Sequence, residues 1–102
     1  ERDFTEFQGY YTALIDKLNK DYQNLSEEEL LKIRYILNTV SINAENRSAR
    51  KDKYMKKFRK MAEKARFWAD AISHKLKTEM GYTQATIEEA DERIDEEMRP
   101  AE

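Results

Sequence analysis

His74 is the only histidine in the 102-residue chain, which contains no cysteine. One imidazole cannot supply the paired ligands of a histidine-based metal centre. The missing thiols remove thiolate zinc sites, disulfides and a cysteine nucleophile. Asp70 precedes His74 by one helical turn, the spacing of an ordinary surface pair. The acidic clusters lack the Glu-x-x-His elements of di-iron bundles, and two glycines do not make a phosphate-cradling loop. No hydroxyl or amine stands in a recognisable nucleophilic setting. The chain is therefore not expected to be an enzyme, and no catalytic, metal or cofactor-binding residue is assigned.

What remains is charge. The 21 acidic and 19 basic side chains nearly cancel, for a formal net charge of −2, but they are not mixed. Residues 1–46 carry five basic and nine acidic groups (−4), residues 47–80 twelve and four (+8), and residues 81–102 two and eight (−6). The densest stretch is 47–66, where ten cations face only Asp52 and Glu63. On a helix, Lys53, Lys57, Lys60 and Lys64 share a stripe beside the apolar seam, flanked by Lys56 and Arg59, with Arg50 just before them.

Such a surface suits three kinds of anion. It can meet an acidic or amphipathic protein surface. It can follow a phosphate backbone, with affinity falling by a log–log slope of ~0.9 per phosphate neutralised. It can also lie on an anionic membrane. Five of the eleven aromatics (Phe4, Phe7, Tyr11, Phe58, Trp68) follow the core stripe. Tyr10, Tyr22, Tyr35 and Phe67 lie off it and either widen the core or form a contact patch. The expected function is a non-catalytic protein–protein interaction module, an adaptor, scaffold or regulator that uses the basic helix and the off-stripe aromatics. The alternative is nucleic-acid binding through stretch 47–66, with the acidic C-terminal segment folded over it as a mask. The positions at seven-residue spacing after the basic block are Phe58, Ala65, Ile72 and Glu79, which excludes a basic-zipper reading.

These residues need helices to carry them. Two glycines and one proline are too few for a turn-rich β protein, and apolar residues recur at three-four spacing along most of the chain. The fold class is all-α: one domain over 1–102, an antiparallel bundle of three to four helices with a long central helix and coiled-coil-like packing. The first helix is expected at about 3–23. Ser26-Glu27-Glu28-Glu29 then forms a capping box, with Leu25 before it to staple onto Leu30 or Leu31. The seam Leu30, Ile33, Leu37, Val40, Ala44 continues in phase through Arg47 and Lys51 to Tyr54, Phe58, Met61 and Ala65. One helix over about 27–80 is therefore expected, a break near 43–48 being the alternative. Gly81 stops it, and a short acidic helix over about 84–98 follows, started by Thr83 or Thr86, with Thr86 and Glu89 as a second capping box, and folded back on the apolar arc Ala62–Ile72.

No apolar run approaches the ~18 residues needed to cross a bilayer. Together with the absence of cysteine and of a signal-like segment, this leans towards a cytoplasmic location. So slender a bundle leaves seam area uncovered, which makes a homo-oligomer a further expectation.

Overall fold

The computed structural model describes the backbone of residues 2–98 and the side chains from Tyr11 onward. Four helices follow one another: α1 (Arg2–Asp21), α2 (Glu27–Ser48), α3 (Met55–Glu79) and α4 (Gln84–Met98), with a 3₁₀ turn at Tyr22–Asn24. No strand occurs among the described residues. The all-α bundle is as expected. The side chains of Phe4, Phe7 and Tyr10, assigned above to the stripe or a contact patch, lie outside the described residues.

The start of α2 follows from local chemistry. Ser26 Oγ accepts from the Glu29 amide at 3.2 Å, and Glu29 Oε1 accepts from the Ser26 amide at 3.1 Å, closing the capping box. Leu25 and Leu30 are both buried, as a hydrophobic staple requires. Helix α4 starts at Gln84, where expected, but its capping box is not the Thr86–Glu89 pair. Its reciprocal box is made by Thr83 and Thr86: the Thr86 amide donates to Thr83 Oγ1 (3.2 Å) and the Thr83 amide to Thr86 Oγ1 (2.8 Å). Threonine takes the place of glutamate because its hydroxyl already reaches the cap amide, and Thr83 is the cap.

The central helix is not continuous. It stops at Ser48 and resumes at Met55, so the favoured single helix gives way to the alternative of a break, which falls just after 43–48. Lys51 occupies the left-handed region at φ 56°, a conformation costly for a residue with a Cβ, and this reverses the chain. Asp52 holds the reversal. Its carboxylate accepts from the Tyr54 amide at 3.0 Å and from the Arg47 guanidinium at 2.8 Å, and both donors keep it below its ordinary pKa, the amide most strongly. The Arg47 guanidinium carbon lies 5.0 Å from the Phe58 ring centre and 5.9 Å from that of Tyr54, within cation–π range. An Asp-centred turn needs neither glycine nor proline.

With the reversal in place, α2 and α3 form the main helix pair. The larger core cluster joins Ile15, Leu18, Leu30, Leu37, Ile72, Leu76, Ile87 and Ile94, among others, and so includes all four helices. A second, smaller cluster of Ala44, Phe58, Met61 and Ala62 closes the hinge end. The acidic helix α4 docks chiefly against α2. Arg34 is the tie: Nε donates to Ser73 Oγ at 2.6 Å and Nη1 to both carboxylate oxygens of Asp91 at 2.9 and 2.8 Å, linking α2, α3 and α4. Tyr35 donates its hydroxyl to Asp95, and Arg93 of α4 makes a two-pronged bond to Glu28 at 3.0 and 3.1 Å. Against the expectation that the last helix folds on the apolar arc of α3, that arc chiefly faces α2: Ala65, Ala69 and Ile72 enter the core shared with α2, while Trp68 takes the ring of Tyr22 edge-on at 5.4 Å.

Candidate functional site

The cationic residues divide according to which flank of α3 carries them. At 100° per residue, Lys57, Lys60 and Lys64 fall on one flank, and Arg59 and Arg66 on the other. The first three are exposed and line an open groove of about 380 Å³ between α3 and α1, whose other lining residues are Tyr11, Thr12 and Met61. A second hollow of about 280 Å³ continues it along α1, sharing Tyr11, Thr12 and Lys64 and ending at Ile15, Asp16 and Asn19. The groove thus has an apolar floor from Met61 and the half-buried Tyr11, one wall of ammonium groups and, at its far end, a carboxylate. Burial raises the pKa of the Tyr11 hydroxyl above its ordinary value.

The remaining predicted cations stand elsewhere. Lys53 precedes the first turn of α3, so it does not join the lysine stripe; its ammonium instead lies 5.2 Å from the Tyr54 ring centre. Arg50 is exposed in the hinge and Lys56 on the outer face of α3. On the far flank Arg66 pairs with Glu45 of α2, and Arg47 is consumed by Asp52. The block of ten cations is therefore not one continuous track.

The off-stripe aromatics separate in the same way. Tyr22 belongs to the fold: it packs on Trp68, reaches the Ala71 carbonyl at 3.5 Å and carries the Lys75 ammonium 4.8 Å from its ring centre. Its hydroxyl pKa is raised by burial and then by Glu79. Tyr35 ties α4 to α2, and the bond to Asp95 raises its pKa. Phe67 is different. It is 66% exposed, one turn beyond Lys64, touching Trp68 edge-on at 6.0 Å. It is the most exposed large apolar residue among those described.

His74 and Asp70 are both exposed on α3. No group of acidic and histidine side chains that could hold a metal is found among the described residues, and none of the described helices is long and apolar enough to cross a membrane. The Arg34–Ser73–Asp91 tie escaped sequence reasoning; its only signal was an arginine on the core side of an otherwise apolar stretch of α2. The folded chain carries a two-helix groove walled by three lysines, with the exposed Phe67 one turn beyond Lys64 on α3. No family model matches the chain, and comparison with curated proteins and with solved structures finds no similar one.

Proposed function

We propose that this chain is a non-catalytic helical docking module whose partner is an acidic, amphipathic segment of another protein, laid along the groove between α1 and α3. The observation that carries this reading is the pairing of Lys57, Lys60 and Lys64 with an apolar floor in one groove. Carboxylates of the partner would face the lysine wall, and an apolar side chain would enter over Met61 or rest on Phe67. Charge would speed and orient the encounter, while the buried anchors would hold it.

Binding to the phosphate backbone of a nucleic acid is the second reading, and the same lysines support it. One feature weighs against it: two of the four arginines of the stretch, Arg47 and Arg66, are engaged by Asp52 and Glu45. Masking by α4 is also disfavoured, since Asp91 is held by Arg34 and Asp95 receives the Tyr35 hydroxyl, both on α2.

Fluorescence anisotropy with acidic amphipathic peptides and with DNA and RNA oligonucleotides, at low and high salt, tests the choice. Peptide binding that survives high salt and falls at least about tenfold in Phe67→Ala or in the Lys57, Lys60 and Lys64→Glu variant is expected. Nucleic-acid binding with a steep salt slope, and no peptide binding, would establish the second reading instead.

A further inference from the structure

The buried positions of α2 and α3 keep one helical phase across the hinge that separates them. Leu30, Ile33, Leu37, Val40 and Ala44 are followed, after Arg47, Lys51 and Tyr54, by buried Phe58, Met61, Ala65 and Ile72, still at spacings of three, four or their sums. Two helices joined by a turn have no need of a common phase. One uninterrupted helix does.

The hinge itself, Ala49–Tyr54, contains neither glycine nor proline and is rich in good helix formers: Ala49, Arg50, Lys51 and Lys53. Its reversal depends on Lys51 in the left-handed region, where the Cβ crowds the carbonyl oxygen. It is held by the contacts of Asp52 with Arg47 and the Tyr54 amide. A short strained hinge between two helices that pack mainly on each other is the setting in which elements exchange between copies.

We propose that two copies of this chain exchange their α3–α4 halves: the hinge straightens, α2 and α3 merge into one helix, and each copy's α3 packs on the other's α2. This stands independently of the docking reading above. Every α2–α3 contact is remade between copies, so the two forms differ only at the hinge and in the concentration needed to associate. In the straight helix Arg47 and Lys51 fall on the seam near the dimer centre, where cations of both copies crowd. The hairpin is thus the form at low concentration and low salt, and added salt should favour the exchanged dimer by screening that repulsion.

The cysteine-free sequence allows clean spin labelling at Asn38→Cys and Asp70→Cys, two exposed positions. The Arg34–Ser73 bond and the Arg66–Glu45 pair bracket them, which sets them level across the hairpin. Within the hairpin the labels should lie under ~25 Å apart, because packed helix axes are ~10 Å apart. In one straight helix the 32 intervening steps place them ~48 Å apart. Doubly labelled chain diluted into an excess of unlabelled chain reports the distance within a single copy, and light scattering reports mass against the 12.2 kDa of one chain.

The expected result in concentrated solution at high salt is a dimer with the long distance. Asp52→Ala should raise the association constant, because it removes the anchor of the turn. Lys51→Gly should lower it by about tenfold at each of two hinges, roughly a hundredfold in all, because glycine relaxes the turn and weakens the straight helix. A dimer with the short distance, a chain that stays monomeric even as Asp52→Ala, or a Lys51→Gly variant that dimerises more strongly would each overturn the exchange.

Discussion

The two ends of the bundle are built on different terms. At the end where α4 docks, large aliphatic residues from all four helices share one core, and Arg34, Tyr35 and Arg93 close its rim against carboxylates. At the hinge end the core shrinks to Ala44, Phe58, Met61 and Ala62, a left-handed lysine turns the chain, and three lysines wall an open groove. One end matches its charges to hold helices together. The other presents charge outward. Charge pairing between helices and the open cationic groove thus lie towards opposite ends, and on the proposed function stability and recognition can be altered separately.

The largest expected effect is at the closed end. Ile72 is fully buried, and Ile72→Ala should cost about 2–5 kcal/mol of unfolding free energy in a denaturant titration. Lys60 and Lys64 are exposed, so reversing these two should leave stability within about 1 kcal/mol while weakening peptide binding by about tenfold. Equal stability losses from the two sets would dissolve the distinction.

Arg34→Ala should cost about 1.5–3 kcal/mol, since it leaves Asp91 and Ser73 without their charged donor in a site where the arginine side chain is only 13% exposed. Calorimetry should show the loss with peptide affinity unchanged. Lys51→Gly acts in the opposite direction at the hinge end and should stabilise the monomer by about 1 kcal/mol.

The smallest effect is with pH. Glu28 is held below its ordinary value by its bond to Arg93, Glu29 by the Ser26 amide, and Asp52 by the Tyr54 amide and Arg47. For a depressed carboxylate the unfolded chain takes up protons first, so its stabilisation is complete above the unfolded value and is lost as pH falls through the folded one. Tm should therefore be flat near neutrality and decline below about pH 4.5. Asp52→Asn should remove part of that decline and Glu28→Gln another part. Tyr11, Tyr22, Tyr35 and Tyr82 are all raised, Tyr82 by burial and then Glu27, so their contribution is full below about pH 10 and lost as pH rises through the folded values.

Helix class, the Ser26 box, the Gly81 stop and most of the core could be read from residue spacing, because these depend on contacts within a turn or two of the chain. The hinge could be read only as the alternative of a break near 43–48, not in its place after Ser48. The phase of the apolar seam runs unbroken through it, and an Asp-centred turn around a left-handed lysine leaves no glycine or proline as a mark. The candidate site was half legible. Lys57, Lys60 and Lys64 were identified from composition, but the groove exists only because α1 lies beside them. Tyr22 and Tyr35 were drawn into the fold by partners 46 and 60 residues away, Trp68 and Asp95, which no local pattern announces.

The six-residue hinge between the two main helices also bears on how quickly the chain can fold. Contacts across so short a connection are local, and closing a loop of this size takes tens of nanoseconds, so the α2–α3 hairpin should form early. The bonds from Arg47 and the Tyr54 amide to Asp52 would then be made in the transition state, while α4 docks later through Arg34. Substitutions at the hinge should change the folding rate, and those in the α4 contact should change the unfolding rate. The end of the molecule with the smaller core is thus the one that organises the chain first, and the groove lysines of α3 take their places before the bundle is sealed.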